Sequence, residues 1–373
     1  MGWSIKDMLQ PVIARLFIYG MNPIELEHVF KALEETPLLN VLTLEQKWVE
    51  LWEERAQKFR QMADEAERKG NLKSAEVFWQ YVTQFDYAQF LINSNQIQLK
   101  QAIYERLERD YEKYTKYLSG KVEKVTISFE NGKALIGYLH LPEQEKAKYP
   151  CMVLFPGEGS NKEELNTLAR QFASRGIAVL AWDGPGTGDS LFKEEIKTGF
   201  YNLRQSFNTV FKWVKNHERI DSKNIGCCGL CMGGGYAYFA AAHQADIKCC
   251  INLFPLFVTQ VNRDHLPRWM IQSKWTNYQR DLEYEAFVED MKGLEEGNIE
   301  CPYLLIDGAY ENWMPQEAIK KLYEKSKGPK KKIIIEEEPI FSSGETRLHT
   351  MPVGEQMHWL KHILADWAKE QFE

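Results

Sequence analysis

No stretch of this 373-residue chain stays apolar for the roughly twenty residues a bilayer-spanning helix needs, which excludes a membrane-spanning helix. A basic stripe is missing too. The 46 Lys and Arg are interspersed with 53 Asp and Glu, for a net charge of −7, so neither nucleic acid nor an anionic membrane surface is an expected partner. The opening MGWSIKDMLQ has none of the blocks of a secretory signal, and Lys6 stands where a myristoylation pattern needs Ser or Thr. The seven cysteines are odd in number, include two adjacent pairs and mostly sit in apolar runs. That argues against a disulfide framework and for reduced thiols in a cytoplasmic protein. No H-E-x-x-H pair, strand-borne G-x-G-x-x-G or Walker sequence occurs, so neither metal nor cofactor is expected.

What is present is ample apolar material. Hydrophobic residues make up 44% of the chain, enough for one large domain and an accessory one. Residues 1–118 contain no convincing strand and read as a helical N-terminal domain. Tyr104, Leu107, Tyr111, Tyr114 and Leu118 recur at helical spacing on one face, and SAEVFWQYVTQFDYAQFLI carries aromatics on more than one face. Such a helix must be covered by the other domain or by a second copy, so a homodimer is expected. After Gly120 the period changes. VEKVTISFE and KALIGYLHLP alternate like a hairpin joined by Asn131-Gly132. Apolar strands then alternate with helices near 162–175, 196–218, 316–326 and 352–370, the pattern of a mostly parallel sheet covered on both faces in residues 119–373. Residues 256–299, rich in Trp, Tyr, Arg and acidic groups, interrupt that rhythm and read as an inserted helical cap.

The stretch IGCCGLCMGGGYAYFA supplies the chemistry. Gly229-Leu230-Cys231-Met232-Gly233 follows a strand and opens a helix, the context in which a G-x-nucleophile-x-G turn is credible. Small residues two before and two after Cys231 let strand and helix pass closely. The Met232 N–H can face a developing oxyanion, and the helix N-terminus favours thiolate over thiol. Cys227 and Cys228 fall within the strand and read as core packing. Cys228 and Cys231 form a C-x-x-C, but a redox role would require the first thiol to leave the sheet.

With these residues in view, the region from about 121 to 371 resembles an α/β-hydrolase. FPGEGSNKEE and WDGPGTGDS stand where that fold keeps its oxyanion-loop and Asp-x-Pro-Gly-x-Gly turns, and RKGNLKSAEVFWQYVTQFDYAQFL narrows the likeness. It is similar to the subfamily of 2,6-dihydroxypseudooxynicotine hydrolase, FrsA-like esterases and fungal polyketide-shortening hydrolases. That implies an N-terminal helical domain acting as lid and dimerisation element. Ser is usual at the nucleophile position there; dienelactone hydrolase is the familiar group of this fold with Cys.

The resemblance also places the remaining site residues. A nucleophile of this kind needs a base and a group that orients it. In this fold the acid follows a late strand and the base comes last in the chain. YLLIDGAYENWMP puts Glu311 at the acid position, with Asp307 as its rival, and SGETRLHTMP delivers His349 as base. His358 and His362 stand four apart on the last helix without a supporting carboxylate motif, and His265 lies in the cap. Gly157 and Glu158, after CMVLF, are the second oxyanion donors beside Met232, and Asp183 is a turn-structuring Asp. Trp269, Trp275 and Tyr278 in the cap, with Trp313 beside the acid, suggest an apolar or aromatic acyl group, either free or carried on CoA or a carrier. The expected reaction is covalent acyl transfer through Cys231, ending in hydrolysis or in capture of the acyl group. A non-catalytic scaffold is the competing expectation.

Overall fold

The change of period at Gly120 marks where helix gives way to sheet. Before it lie α1 (Ile5–Ile18), α2 (Pro23–Glu34), α3 (Val41–Arg68), α4 (Leu72–Ile92) and α5 (Ile97–Thr115). The computed structural model describes residues 5–36, 41–92, 96–244, 246–265, 278–341, 349 and 351–373. α2 begins on Asn22, whose side chain accepts the Ile24 N–H at 3.0 Å, with Pro23 fixing the first helical φ. α4 is the centre of this layer, buried at every position from Val82 to Ile92. Its aromatic surplus is covered by α1, α3 and α5 within one chain, so that surplus does not itself call for a second copy. Burial on all sides forces its polar residues to find partners: Asp86 meets Arg60 and Arg106, and Gln84 donates to the Gly20 carbonyl. The predicted face of α5 is buried at Tyr104, Leu107, Tyr111 and Tyr114.

The sheet is formed by β1 (Lys121–Ser128), β2 (Ala134–Leu141), β3 (Tyr149–Phe155), β4 (Ala178–Trp182), β5 (Ile220–Leu230), β6 (Ile247–Leu253), β7 (Tyr303–Gly308) and β8 (Lys330–Ile335), in the order β1-β2-β4-β3-β5-β6-β7-β8. The first two strands are an antiparallel hairpin whose turn places Asn131 and Gly132 at φ 56° and 75°, the left-handed conformation an Asn-Gly pair tolerates. β2 runs antiparallel to β4, and β3 to β8 are mutually parallel. Alternation along β3 sorts the two faces. Cys151, Val153 and Phe155 join the core under α8 (Phe200–Asn216) and α9 (Met232–His243). Met152 and Leu154 join the core under α6 (Asn166–Ala173) and α12 (Met351–Phe372).

Two details depart from the sequence reading. α6 starts at Asn166 rather than near 162, and the Lys162 N–H before it donates to the Asp183 carboxylate at 2.7 Å. A short unanticipated helix, α7 (Gly188–Phe192), follows β4. In the insertion, the described residues 256–265 and 278–299 include a 3₁₀ turn (Arg263–His265) and the helix α10 (Tyr284–Asp290), before β7 and α11 (Gln316–Lys325). α1 lies along α12, and the contact is close: a Cβ on Gly354 would come within 2.7 Å of the Ala14 carbonyl oxygen.

Candidate active site

At the end of β5 the chain reverses on a single residue. Cys231 has φ 55° and ψ −125°, a left-handed conformation that costs a non-glycine residue about 1–3 kcal/mol unless its surroundings enforce it. Its N–H donates to the Leu253 carbonyl at 3.0 Å, while its own carbonyl accepts from Gly234 and Leu256 N–H at 2.9 and 2.8 Å. The flanking glycines are needed sterically. A Cβ on Gly229 would lie 1.9 Å from the Gly233 oxygen, and one on Gly233 would lie 2.2 Å from the Phe155 oxygen. The strand-turn-helix thus holds Cys231 at the mouth of α9, partly exposed. Cys227 and Cys228 are buried in β5. Burial pushes the Cys228 thiol well above its ordinary range, and it packs in the sheet against Leu154 and Ile251, away from redox pairing.

Cys231, His349 and Glu311 come together. The Sγ lies 3.2 Å from His349 Nε2, and His349 Nδ1 lies 2.7 Å from Glu311 Oε2. The other Glu311 oxygen accepts the N–H groups of Trp313 and Met314 at 2.7 and 3.2 Å, which fixes the carboxylate on a tight turn after β7. Trp313 is buried. Its ring stacks on the imidazole at 4.4 Å with 9° between planes, and Phe254 meets the same ring edge-on at 5.8 Å. Burial works against a charged imidazole, but the Glu311 carboxylate and the Cys231 sulfur outweigh it, raising the His349 pKa to about 10. Asp307 has other partners: it accepts from the Gly308 N–H and the Gln316 amide. Burial and the nearby Glu311 push its pKa up to about 7.

Gly157 reaches the same place from β3, where an ideal Cβ would sit 3.3 Å from the Cys231 Cβ. Gly157, Glu158 and Met232 share the wall of one narrow pocket with Tyr236, Gln279 and Arg280. Burial raises the Glu158 pKa, against the pull of Arg280 and Arg15. Of the aromatic residues assigned to substrate, Trp269 and Trp275 lie outside the described residues. Tyr278 packs against the N-terminal helical core with the Lys197 ammonium over its ring. Trp313 covers the imidazole. His265 sits within 2.7 Å of the Asn312 carbonyl, and His358 within 3.1 Å of Glu355's. Among the described residues no group of His, Cys, Asp and Glu gathers as a metal site.

Asp183 does organise its turn. It accepts from the Lys162 and Asp189 N–H groups, the Lys162 ammonium and the Tyr104 hydroxyl, the last of these from α5. Sequence reasoning passed over Lys162, Gln10 and Arg15, all of which reach this region. For Lys162 a signal existed, since its Lys-Glu-Glu run directly follows the Gly157 loop. For Gln10 and Arg15, in an ordinary amphipathic helix, there was none.

A strained strand-turn-helix at the carboxyl end of a central parallel strand, on a sheet covered by helices on both faces and preceded by a helical region, is the architecture of an α/β hydrolase. Residues 38–266 match the family described as Esterase FrsA-like, and the chain belongs to that family. It is 30% identical over 243 residues to Hydrolase LUC6 of Fusarium sp, covering 61% of this chain and 56% of that protein. It is 29% identical over 209 residues to 2,6-dihydropseudooxynicotine hydrolase of Paenarthrobacter nicotinovorans, covering 55% and 54%. The matched stretches thus span little more than half the length of these relatives. The crystal structure of 2,6-dihydroxy-pseudo-oxynicotine hydrolase superimposes with a TM-score of 0.74 at 20% identity, over 96% of this chain and 95% of that one, which establishes the shared fold.

Proposed function

We propose that this α/β hydrolase works through an acyl-enzyme on Cys231. The carrying observation is the line of contacts from Cys231 Sγ through His349 to Glu311, at 3.2 and 2.7 Å, with the sulfur on a strained turn at a helix N-terminus. In this reading a Cys231 thiolate attacks the substrate carbonyl, and the N–H groups of Met232 and the Gly157–Glu158 loop receive the oxyanion. Collapse breaks the bond to the leaving group, which takes the proton held on His349 Nε2. That group is an alcohol, a thiol, or the enol of a ketone where a C–C bond is cleaved. Water then attacks the thioester, His349 accepts its proton, and the acid leaves as the thiolate reforms. Glu311 orients the imidazole and stabilises its cation.

A thioester also reacts readily with amines and thiols, so the same intermediate supports acyl transfer or cyclisation. The substrate is a small ester, thioester or β-carbonyl compound of the polyketide-like kind, in keeping with the hydrolases it is similar to. The test is intact-mass measurement after exposure to a panel of activated esters and thioesters, beside Cys231→Ala and His349→Ala. The expected result is an acyl adduct absent from Cys231→Ala and slowed by orders of magnitude in His349→Ala. An adduct that persists in Cys231→Ala, or none from any donor with Cys231 also inert to alkylation, would overturn the reading in favour of a non-catalytic scaffold.

A further inference from the structure

Two side chains of α1, a helix outside the sheet, end on the backbone of the two loops that the proposed chemistry depends on. Gln10 Nε2 donates to the His349 carbonyl oxygen at 3.0 Å, and Arg15 Nη1 donates to the Glu158 carbonyl oxygen at 3.1 Å. Gln10 is buried. The remaining Arg15 donors are fixed as well: Nε and Nη2 grip the Glu164 carboxylate at 3.2 and 3.1 Å, and Nη2 meets the Tyr87 hydroxyl at 2.7 Å. Burial opposes the guanidinium charge. Glu164 and Tyr87 outweigh that, with Cys231 adding to the same effect, so Arg15 is held above its ordinary pKa. The helix carrying both residues is itself seated on α12 through the close Ala14–Gly354 contact.

We propose that α1 braces the catalytic machinery, Gln10 fixing the His349 loop and Arg15 the Gly157–Glu158 loop. Both are positioning residues; neither touches the reacting atoms. The physical need is clear. His349 and residues 157–158 lie outside the strands and helices, so their carbonyls have no ladder partners and must be satisfied from elsewhere. Pinning both loops from one rigid helix keeps base and oxyanion donors in mutual register, where a displacement near 1 Å costs about a hundredfold in rate. It also makes activity depend on docking of the N-terminal helical layer. The kinetic consequence rests on the acyl-Cys231 reading; the accessibility of the sulfur does not.

The test uses the full chain with Arg15→Met, Arg15→Lys and Gln10→Leu. Val82→Ala in the core of the helical layer serves as a control that destabilises without touching either loop. Two readouts are taken well below each protein's melting temperature: kcat and KM with an activated thioester, and the rate of iodoacetamide alkylation of Cys231 at one fixed pH. Arg15→Met is expected to lower kcat about tenfold to a hundredfold with little change in KM, and to slow alkylation several-fold as the loops around the sulfur lose their fixed register. Arg15→Lys recovers part of both effects, Gln10→Leu lowers kcat by a smaller factor, and Val82→Ala lowers only the melting temperature. Should Arg15→Met fail to fold, Arg15→Lys carries the decision through its reduced kcat at unchanged KM. Wild-type kcat and alkylation in the Arg15 and Gln10 variants, or an equal loss of kcat in Val82→Ala, would overturn the brace. If the wild type forms no acyl adduct, the acyl-enzyme reading falls, and the alkylation rate alone decides on the brace. A slower rate in Arg15→Met and Gln10→Leu but not in Val82→Ala upholds it, and an unchanged rate in both removes it.

Discussion

Two clusters of buried charge lie near the carboxyl ends of the strands, and they are built to opposite ends. Around Lys162, fully buried, the ammonium meets Asp183 at 2.9 Å, Asp189 at 3.1 Å, Glu163 at 2.9 Å and the Tyr104 hydroxyl at 2.7 Å. Glu108 of α5 extends the cluster to Lys193 and Lys124. It is closed on itself and joins the helical layer to the loops after β3 and β4. The line Glu311–His349–Cys231 is fixed just as firmly at its acid end but stops at a partly exposed sulfur that, among the described residues, has no hydrogen-bond partner beyond the imidazole. The difference teaches how to separate chemistry from architecture in a charged core. A structural cluster spends its charge on its own members, whereas a reactive one leaves an end free.

Breaking each cluster should therefore damage different properties. His349→Ala is the largest expected effect: acylation of Cys231 per folded molecule falls by about 10³–10⁴-fold, roughly 4–5.5 kcal/mol of barrier, beyond whatever stability is lost by leaving the Glu311 carboxylate without its imidazole. Stopped-flow or timed intact-mass acylation, beside a thermal melt, checks both halves. Lys162→Met should do the reverse. It strands Asp183 and Asp189 without their shared cation and costs about 3–5 kcal/mol of stability, read by denaturant titration. The rate per folded molecule changes only a few-fold. Loss of rate without loss of stability would make Lys162 part of the chemistry.

The two clusters also differ in how far they could be read in advance. Cys231 was legible because a strained turn demands Gly229 and Gly233 at fixed spacing, a local requirement written in five consecutive residues. The hairpin at Asn131-Gly132 and the buried face of α5 were legible for the same reason. The Lys162 cluster draws on α5, the loop after β3 and the turn after β4, so its members are far apart in sequence and each looks like an ordinary surface charge. Gln10 and Arg15 are harder still, since their partners are backbone carbonyls, which carry no sequence signal.

Glu311→Gln sharpens the comparison within the reactive cluster, with an expected loss of about a hundredfold in acylation rate, read from kcat/KM. Its more telling consequence is in pH. With Glu311 and the Cys231 sulfur beside it, His349 keeps its proton up to a pKa of about 10. In the proposed mechanism its value as an acid for the leaving group is therefore present across neutral pH and lost as pH rises through that value. Replacing the carboxylate by an amide removes the larger of the two influences that raise it, so the alkaline limb of kcat/KM should move to lower pH. A limb that stays in place would mean that His349 does not set it.

The smallest expected effect lies in the structural cluster, at Glu163. Its carboxylate is close to Lys162, but neither oxygen has a well-aligned donor, and burial pushes its pKa upward. A carboxyl group whose folded pKa is raised binds its proton more tightly in the folded state than in the unfolded one. Its contribution to stability is present at low pH and lost as pH climbs from the unfolded carboxylate range through the raised value. Glu163→Gln carries the neutral form at every pH, so thermal melts should show the variant gaining on the wild type, by an amount on the order of 1 kcal/mol, as pH rises from the ordinary carboxylate range to the raised value of about 8. A variant that is instead uniformly less stable at high pH would mean that the ion pair with Lys162 outweighs burial. Glu163 would then belong with Asp183 and Asp189 as a working counter-charge.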